Sequence, residues 1–331
     1  MVHDFQQYGA WRAQVTGALD AYRAALEAAG LLDESSEQQV VRAQQRLHDD
    51  KLSVAFVAEF SRGKSELINA IFFSDFGQRM LPSAAGRTTM CPTELLYDAA
   101  WEPGIRLLPI ETREQHLSTS DFRDDPAAWS VFPLNLESPD DMVETFRQVS
   151  QTRMVPLAQA QAFGLYDPDD PDLSTAQVVD GMVEVPKWRH AIINFPHPLL
   201  KQGLVILDTP GLNAIGTEPE LTLNLIPNAQ AVLFILGAET GVTKSDIDVW
   251  RNHIGAGSGR IVVLNKIDTM WDELKSDAAN SADIARQQAS VARDLGLPVE
   301  KVFPVSAKKA LVARINGDAA LLEKSRMTAL E

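Results

Sequence analysis

The chain has 331 residues, 45% of them hydrophobic, and 30 Lys and Arg against 45 Asp and Glu give a formal net charge of −15. That size and apolar share suffice for a large packed domain, whereas the acidity excludes broad electrostatic attraction to nucleic acid or anionic lipid. No apolar run approaches the roughly 18 residues of a membrane-spanning helix, the start MVHDFQQYGAWR lacks the pattern of a signal peptide, and the lone Cys91 excludes an internal disulfide, so a cytoplasmic location is expected.

From Asp4 to Gly30, Phe5, Tyr8, Trp11, Val15, Leu19, Tyr22 and Leu26 recur at steps of three and four, which predicts a helix with one buried face. A second helix is expected over about 35–50, carrying Val40, Val41 and Leu47. Ser53 to Ala58 then reads as a short buried strand, and Leu204 to Leu207, Ala231 to Leu236 and Arg260 to Leu264 resemble it. Such strands, alternating with helical stretches, predict an α/β fold with a mostly parallel central sheet flanked by helices and its ligands at the carboxyl ends of the strands. Glu94 to Asp98 and Arg189 to Phe195 read as further strands, with Gly104 to Ile110 a third candidate.

Between about 111 and 186 the sequence turns irregular and rich in Asp, Pro, Ser and Gln, and it reads as an insertion with short helical patterns near Pro139 to Val149 and Pro156 to Phe163. Its acidic stretch from Asp167 to Asp172 lacks the glycine of a calcium loop and contains two prolines, so a solvated loop is expected. The expected organisation is an N-terminal helical segment over 1–52, an α/β domain over 53–315 with an insertion at about 111–186, and the start of a C-terminal helical segment over 316–331.

The first strand runs into Glu59-Phe60-Ser61-Arg62-Gly63-Lys64-Ser65 and then a helical stretch, which is the context of a phosphate-binding loop. Backbone N–H groups and the helix N-terminus would cradle phosphates, Lys64 would neutralise their charge and the Ser65 hydroxyl would ligate magnesium. Ala58 stands where such loops usually begin with glycine. Leu204 to Leu207 ends in Asp208-Thr209-Pro210-Gly211, so a carboxylate there can hold a magnesium-bound water and Gly211 can bring its N–H to a γ-phosphate; a plain turn after a buried strand is the alternative.

The strand Arg260 to Leu264 ends in Asn265-Lys266-Ile267-Asp268. Guanine presents two donors side by side, which one aspartate accepts and adenine cannot supply, making Asp268 the specificity residue. Asn265 would tie this loop to the phosphate loop, and the stem of Lys266 would cover the purine face. Farther on, the backbone of Ser306-Ala307-Lys308 would contact the guanine oxygen.

With these motifs in this order, the chain resembles the translation-factor-type P-loop GTPases, and within them the bacterial dynamin-like GTPases. The narrower resemblance rests on Phe60 to Ser65, on Leu81 to Glu94 with Thr88-Thr89, on Phe234 to Asp246, and on the 119 residues (208 − 89) separating Thr89 from Asp208. The resemblance implies Mg2+-dependent hydrolysis of GTP to GDP and phosphate, with the metal held by Ser65, Asp208 and the switch residue Thr89, Thr88 being the alternative. Ser61 would position the attacking water or a charge-balancing cation. Arg62 would supply charge to the transition state within the site or across a dimer, or else form a surface salt bridge. Phe60 stands where dynamins proper often carry a water-orienting glutamine.

The resemblance further implies a homodimer across the nucleotide site, N-terminal helices belonging to a helical bundle, and peripheral association with the inner face of a membrane, with membrane remodelling as the family's role. No nucleic-acid partner is expected. The alternative reading is a slow, GTP-gated binding module acting on a protein partner.

Overall fold

The computed structural model describes residues 2–32, 37, 39–41, 43–44, 51–59, 61–81, 91–115, 117–169, 178–209, 226, 229–254 and 259–331, with side chains from residue 10 onward. In chain order its strands are β1 (Leu52–Ala58), β2 (Thr93–Leu96), β3 (Gly104–Pro109), β4 (Ser130–Pro133), β5 (Thr152–Pro156), β6 (Val178–Val179), β7 (Met182–Pro186), β8 (Trp188–Asn194), β9 (Leu204–Asp208), β10 (Ala231–Gly237), β11 (Arg260–Asn265) and β12 (Val302–Pro304). Nine of them form one sheet in the order β12-β11-β10-β1-β9-β2-β8-β3-β4.

Strands β12, β11, β10, β1 and β9 are mutually parallel. Their sequences are continuous apolar runs because both faces of the sheet are covered, so no alternation is needed. On one face Phe56, Ile206 and Ile235 pack with Leu67 and Ile68 of the helix Lys64–Phe72. On the other, Ala55, Val205, Phe234 and Val262 pack with Ile284 and Val291 of the helix Asp277–Leu295. The expected α/β architecture with a mostly parallel sheet is therefore present. Beyond β9 the sheet turns mixed: β2 is antiparallel to β9, β8 is parallel to β2, and β3 and β4 continue antiparallel.

The stretch expected to be an irregular insertion holds more regular structure than its composition suggests. β4 extends the main sheet, and β5, β7 and β6 form a separate antiparallel sheet. Ile110, Val155, Ala160, Phe163, Val183 and Val185 give that small sheet a core of its own. These strands have two to five residues and are bounded by prolines or glycine, too short for a period of two to stand out from loop sequence. The two helical patterns appear as Pro139–Arg147 and Leu157–Ala162.

The first helix spans Val2–Ala28. Its expected buried face is only partly covered among the described residues: Trp11 is 50% and Tyr22 55% exposed, while Val15, Leu19 and Leu26 are half-buried. Arg12 anchors it to the sheet side by donating to Gln202 O at 3.2 Å. Of the second expected helix, residues 37, 39–41 and 43–44 are helical, and Gln44 donates to Asp20 Oδ1 at 2.6 Å; the remainder lies outside the described residues. At the other end, the helices Ala307–Asn316 and Ala319–Ser325 fold back so that Met327 and Leu330 are buried in the core beside the helix Lys64–Phe72. Arg314 locks this return, donating to Ala70 O and to Glu331.

Candidate functional site

The carboxyl ends of β1, β9, β10 and β11 are neighbours in the sheet, so the loops that follow them meet at one edge. β1 ends at the buried Ala58, opposite Ile235. After Glu59 the chain takes left-handed backbone angles at Ser61 (φ 61°) and Gly63 (φ 88°) before entering the helix at Lys64. Glycine is required at 63 for a second reason: a Cβ there would stand 2.4 Å from Asn265 Nδ2.

Asn265, at the end of β11, links the loops. Its Nδ2 donates to Arg62 O at 3.0 Å and to Gly63 O at 3.3 Å, while its Oδ1 accepts from the N–H of Ala307 at 3.0 Å. The expected tie between base loop and phosphate loop is present, and it extends to the turn after β12. The Ala307 N–H is thereby committed to Asn265, in contrast to the role in contacting a guanine oxygen expected for the Ser306-Ala307-Lys308 backbone.

Lys64 Nζ lies 2.9 Å from Asp208 Oδ1, both side chains being buried. Burial holds the Asp208 carboxyl above its ordinary range, although the Lys64 ammonium opposes the rise. Neither Lys64 Nζ nor Asp208 Oδ1 has an aligned hydrogen-bond partner among the described residues. Ser65, Thr93 and Asp208, with Phe73, Phe146 and Val149, line a cavity of about 30 Å3. A hydroxyl and a buried carboxylate whose Oδ1 has no hydrogen-bond partner among the described residues, both lining this cavity, form a hard-oxygen donor set that suits Mg2+.

In the base loop, Lys266 is also left-handed (φ 64°), and its Nζ pairs with Glu239 Oε1 at 2.9 Å. The Ser306 hydroxyl donates to Asp268 Oδ1 at 2.6 Å and fixes the carboxylate that would read the base. Lys308, in the first turn of the helix beginning at Ala307, is exposed. Phe60, Thr88, Thr89 and Gly211 lie outside the described residues.

The guanidinium of Arg62 has a different setting from the phosphate-facing or surface ones expected. It is buried, donates to Glu59 Oε2 at 2.6 Å and to Thr240 Oγ1, and lies 3.4 Å from Asp246 Oδ2. Glu239, Thr240 and Asp246 lie in the segment Phe234 to Asp246 that carries the resemblance, but none was expected to be a site residue. The spacing Thr243-x-x-Asp246 was the available signal, since it forms a capping box at the helix Lys244–Val249.

A second ionic cluster lies one residue beyond Thr93, on the opposite face of the sheet. Glu94 Oε1 meets His190 Nε2 at 3.0 Å and Arg123 at 2.5 Å. Burial alone would raise the Glu94 carboxyl, but the hydrogen bond and charge of His190, with those of Arg123, bring it down to about 2.

Residues 54–267, more than half of the chain, match the profile described as Dynamin family. The chain belongs to the dynamin family. This dynamin-family chain is 21% identical over 298 residues to "Bacterial dynamin-like protein" of Nostoc punctiforme, an alignment covering 87% of this chain and 36% of that protein. It is 30% identical over 122 residues to "Probable transmembrane GTPase FZO-like, chloroplastic" of Arabidopsis thaliana, covering 37% of this chain and 13% of the relative. Among solved structures, a chain of an oligomerised bacterial dynamin pair, described with long-range sensing and tethering of membranes, superimposes with a TM-score of 0.57 at 16% identity, covering 98% of this chain and 42% of the other. That likeness extends to the fold. The chain thus spans well under half the length of these relatives.

Proposed function

We propose that this chain binds GTP and hydrolyses it to GDP and phosphate. The observation that carries the reading is Asn265, whose single amide joins the phosphate loop, the base loop and the turn after β12, three elements a purine nucleotide would span. Bound Mg2+, held by Ser65 and Asp208, would offset phosphate charge and orient the γ-phosphate oxygens. Lys64 would exchange its Asp208 partner for the β and γ phosphates, leaving the carboxylate free to help hold Mg2+. Asp268, already oriented by Ser306, accepts both guanine donors, and the Lys266 stem, held by Glu239, covers the purine. Thr89 would help hold Mg2+ and the γ-phosphate, and Ser61 would position the attacking water.

Following its relatives, the chain self-associates across the nucleotide and acts peripherally at a membrane; among the described residues no helix is long and apolar enough to cross one. A slow, GTP-gated binding module is the second reading. It is favoured by Arg62, whose charge is spent on Glu59 and Asp246, and by Phe60, which cannot orient water.

The test is a calorimetric titration with GTP, GDP and ATP in magnesium, together with phosphate release measured over a hundredfold range of protein concentration. We expect at least about a hundredfold preference for GTP over ATP, roughly 3 kcal/mol, and for Asp268→Asn a shift toward xanthine nucleotides. Equal affinity for ATP would refute the guanine reading. Turnover per molecule that stays flat with concentration would favour the gated module.

A further inference from the structure

The turn from Glu59 to Gly63 contains a serine and a glycine in left-handed conformations, with Arg62 between them. Serine adopts such angles at an energetic cost, so something outside the loop must hold them. The Arg62 side chain connects the loop to the segment after β10 through Thr240 and Asp246 and closes back on Glu59 across the turn. Asp246 is fully buried. Its Oδ2 also accepts from the N–H and hydroxyl of Thr243 at 2.9 and 2.8 Å, which locks the start of the helix Lys244–Val249.

The cluster is not a saturated structural ion pair. Asp246 Oδ1 and Arg62 Nε are buried without a hydrogen-bond partner. Two carboxylates, Glu59 and Asp246, share one guanidinium, so removing the arginine leaves two buried carboxylates uncompensated, whereas removing the aspartate charge leaves Arg62 paired with Glu59 within its own loop and cuts its ionic link to the segment after β10. The same segment reaches the base loop, since Glu239 pairs with Lys266. It therefore contacts both loops that a nucleotide would bridge.

We infer that Asp246 is a positioning residue for nucleotide binding: through the guanidinium of Arg62 it holds the phosphate loop in its left-handed turn. The inference rests on the GTP-binding reading above. It gives Arg62 a role different from transition-state charge. A charge felt only in the transition state would, on removal, slow turnover and leave GDP affinity intact. A positioning link, on removal, weakens GDP and GTP alike, because the cradle itself loses its shape.

The experiment uses the full chain with a fluorescent methylanthraniloyl-GDP and steady-state GTP hydrolysis, on Arg62→Gln, Asp246→Asn, the double variant and Thr240→Val. Each of the first two is expected to weaken GDP and raise the KM for GTP about tenfold, with kcat changed by less than about threefold. The double variant is expected to be no weaker than the poorer single one, because either change cuts the same link. Thr240→Val, at an exposed position, is expected to cost about threefold in GDP affinity. Wild-type GDP affinity in Arg62→Gln or Asp246→Asn, losses that multiply in the double variant, or slowed turnover with GDP affinity intact would overturn the inference. If circular dichroism shows Asp246→Asn unfolded, Arg62→Gln decides, and unchanged GDP affinity in it overturns the inference. A wild-type chain with no measurable GDP affinity would refute the GTP reading, and the inference with it.

Discussion

Changing Gly63 to alanine should act through Asn265, and its cost should collapse when Asn265 is also removed. The backbone at 63 has φ 88°, and the new methyl would stand 2.4 Å from Asn265 Nδ2, so one of the two must move. The left-handed angle costs a non-glycine residue about 1–2 kcal/mol. Displacing Asn265 forfeits its bonds to Arg62 O, Gly63 O and the Ala307 N–H. At ~1 kcal/mol each, those bonds are worth about 3 kcal/mol.

Gly63→Ala should therefore lower stability by about 4–5 kcal/mol, and Asn265→Ala alone by about 3 kcal/mol. In the Asn265→Ala background the contact is gone, so adding Gly63→Ala should cost only the ~1–2 kcal/mol of the backbone angle. Urea unfolding followed by circular dichroism measures all four proteins, with the denaturant slope checked for constancy. If the two losses simply add, to about 7–8 kcal/mol in the double variant, the steric argument is refuted. If Asn265→Ala costs less than ~0.5 kcal/mol, the bridging role assigned to Asn265 is refuted as well.

Lys64→Ala removes the counter-charge from the buried Asp208, so nucleotide binding should become unmeasurable by calorimetry; retained GTP affinity would remove Lys64 from the phosphate site. For Glu94, the folded carboxyl near 2 lies below its ordinary 4.5, so its contribution is full above about pH 4.5 and is lost as pH falls toward 2. The shift of about 2.5 units corresponds to at most about 3–4 kcal/mol, reduced to about 2 kcal/mol because the Arg123 partner is half exposed. Glu94→Gln should flatten the acid side of the stability profile in urea titrations between about pH 5 and 2, and an unchanged slope there would show that the cluster does not stabilise the fold.

The sequence by itself determined the parallel half of the sheet and the residue types at its strand ends. β1, β9, β10 and β11 are legible because strands buried on both faces must be continuous apolar runs. The Glu59–Ser65 turn, Asp208 and the Asn265–Asp268 turn stand out as candidate site residues because phosphate, metal and guanine chemistry would each demand particular side chains within a few contiguous residues. The tie from Asn265 to the loop after β1 was expected from its place in the Asn265–Asp268 motif, and it spans two strand positions, from β11 past β10 to β1.

Only the tertiary structure decided what surrounds those motifs. Arg62 meets Asp246 across 184 residues and Thr240 across 178 because β10 lies beside β1 in the sheet, a neighbour relation that no local spacing encodes. The commitment of the Ala307 N–H to Asn265 follows in the same way from β12 lying next to β11. The strands within 111–186 were missed because runs of two to five residues carry too few periods to register, and β5, β6 and β7 are stabilised by pairing with one another around their own small core. Local chemistry is written in short stretches of sequence, whereas the choice of buried ionic partners belongs to the strand order, which is fixed only when the whole sheet has formed.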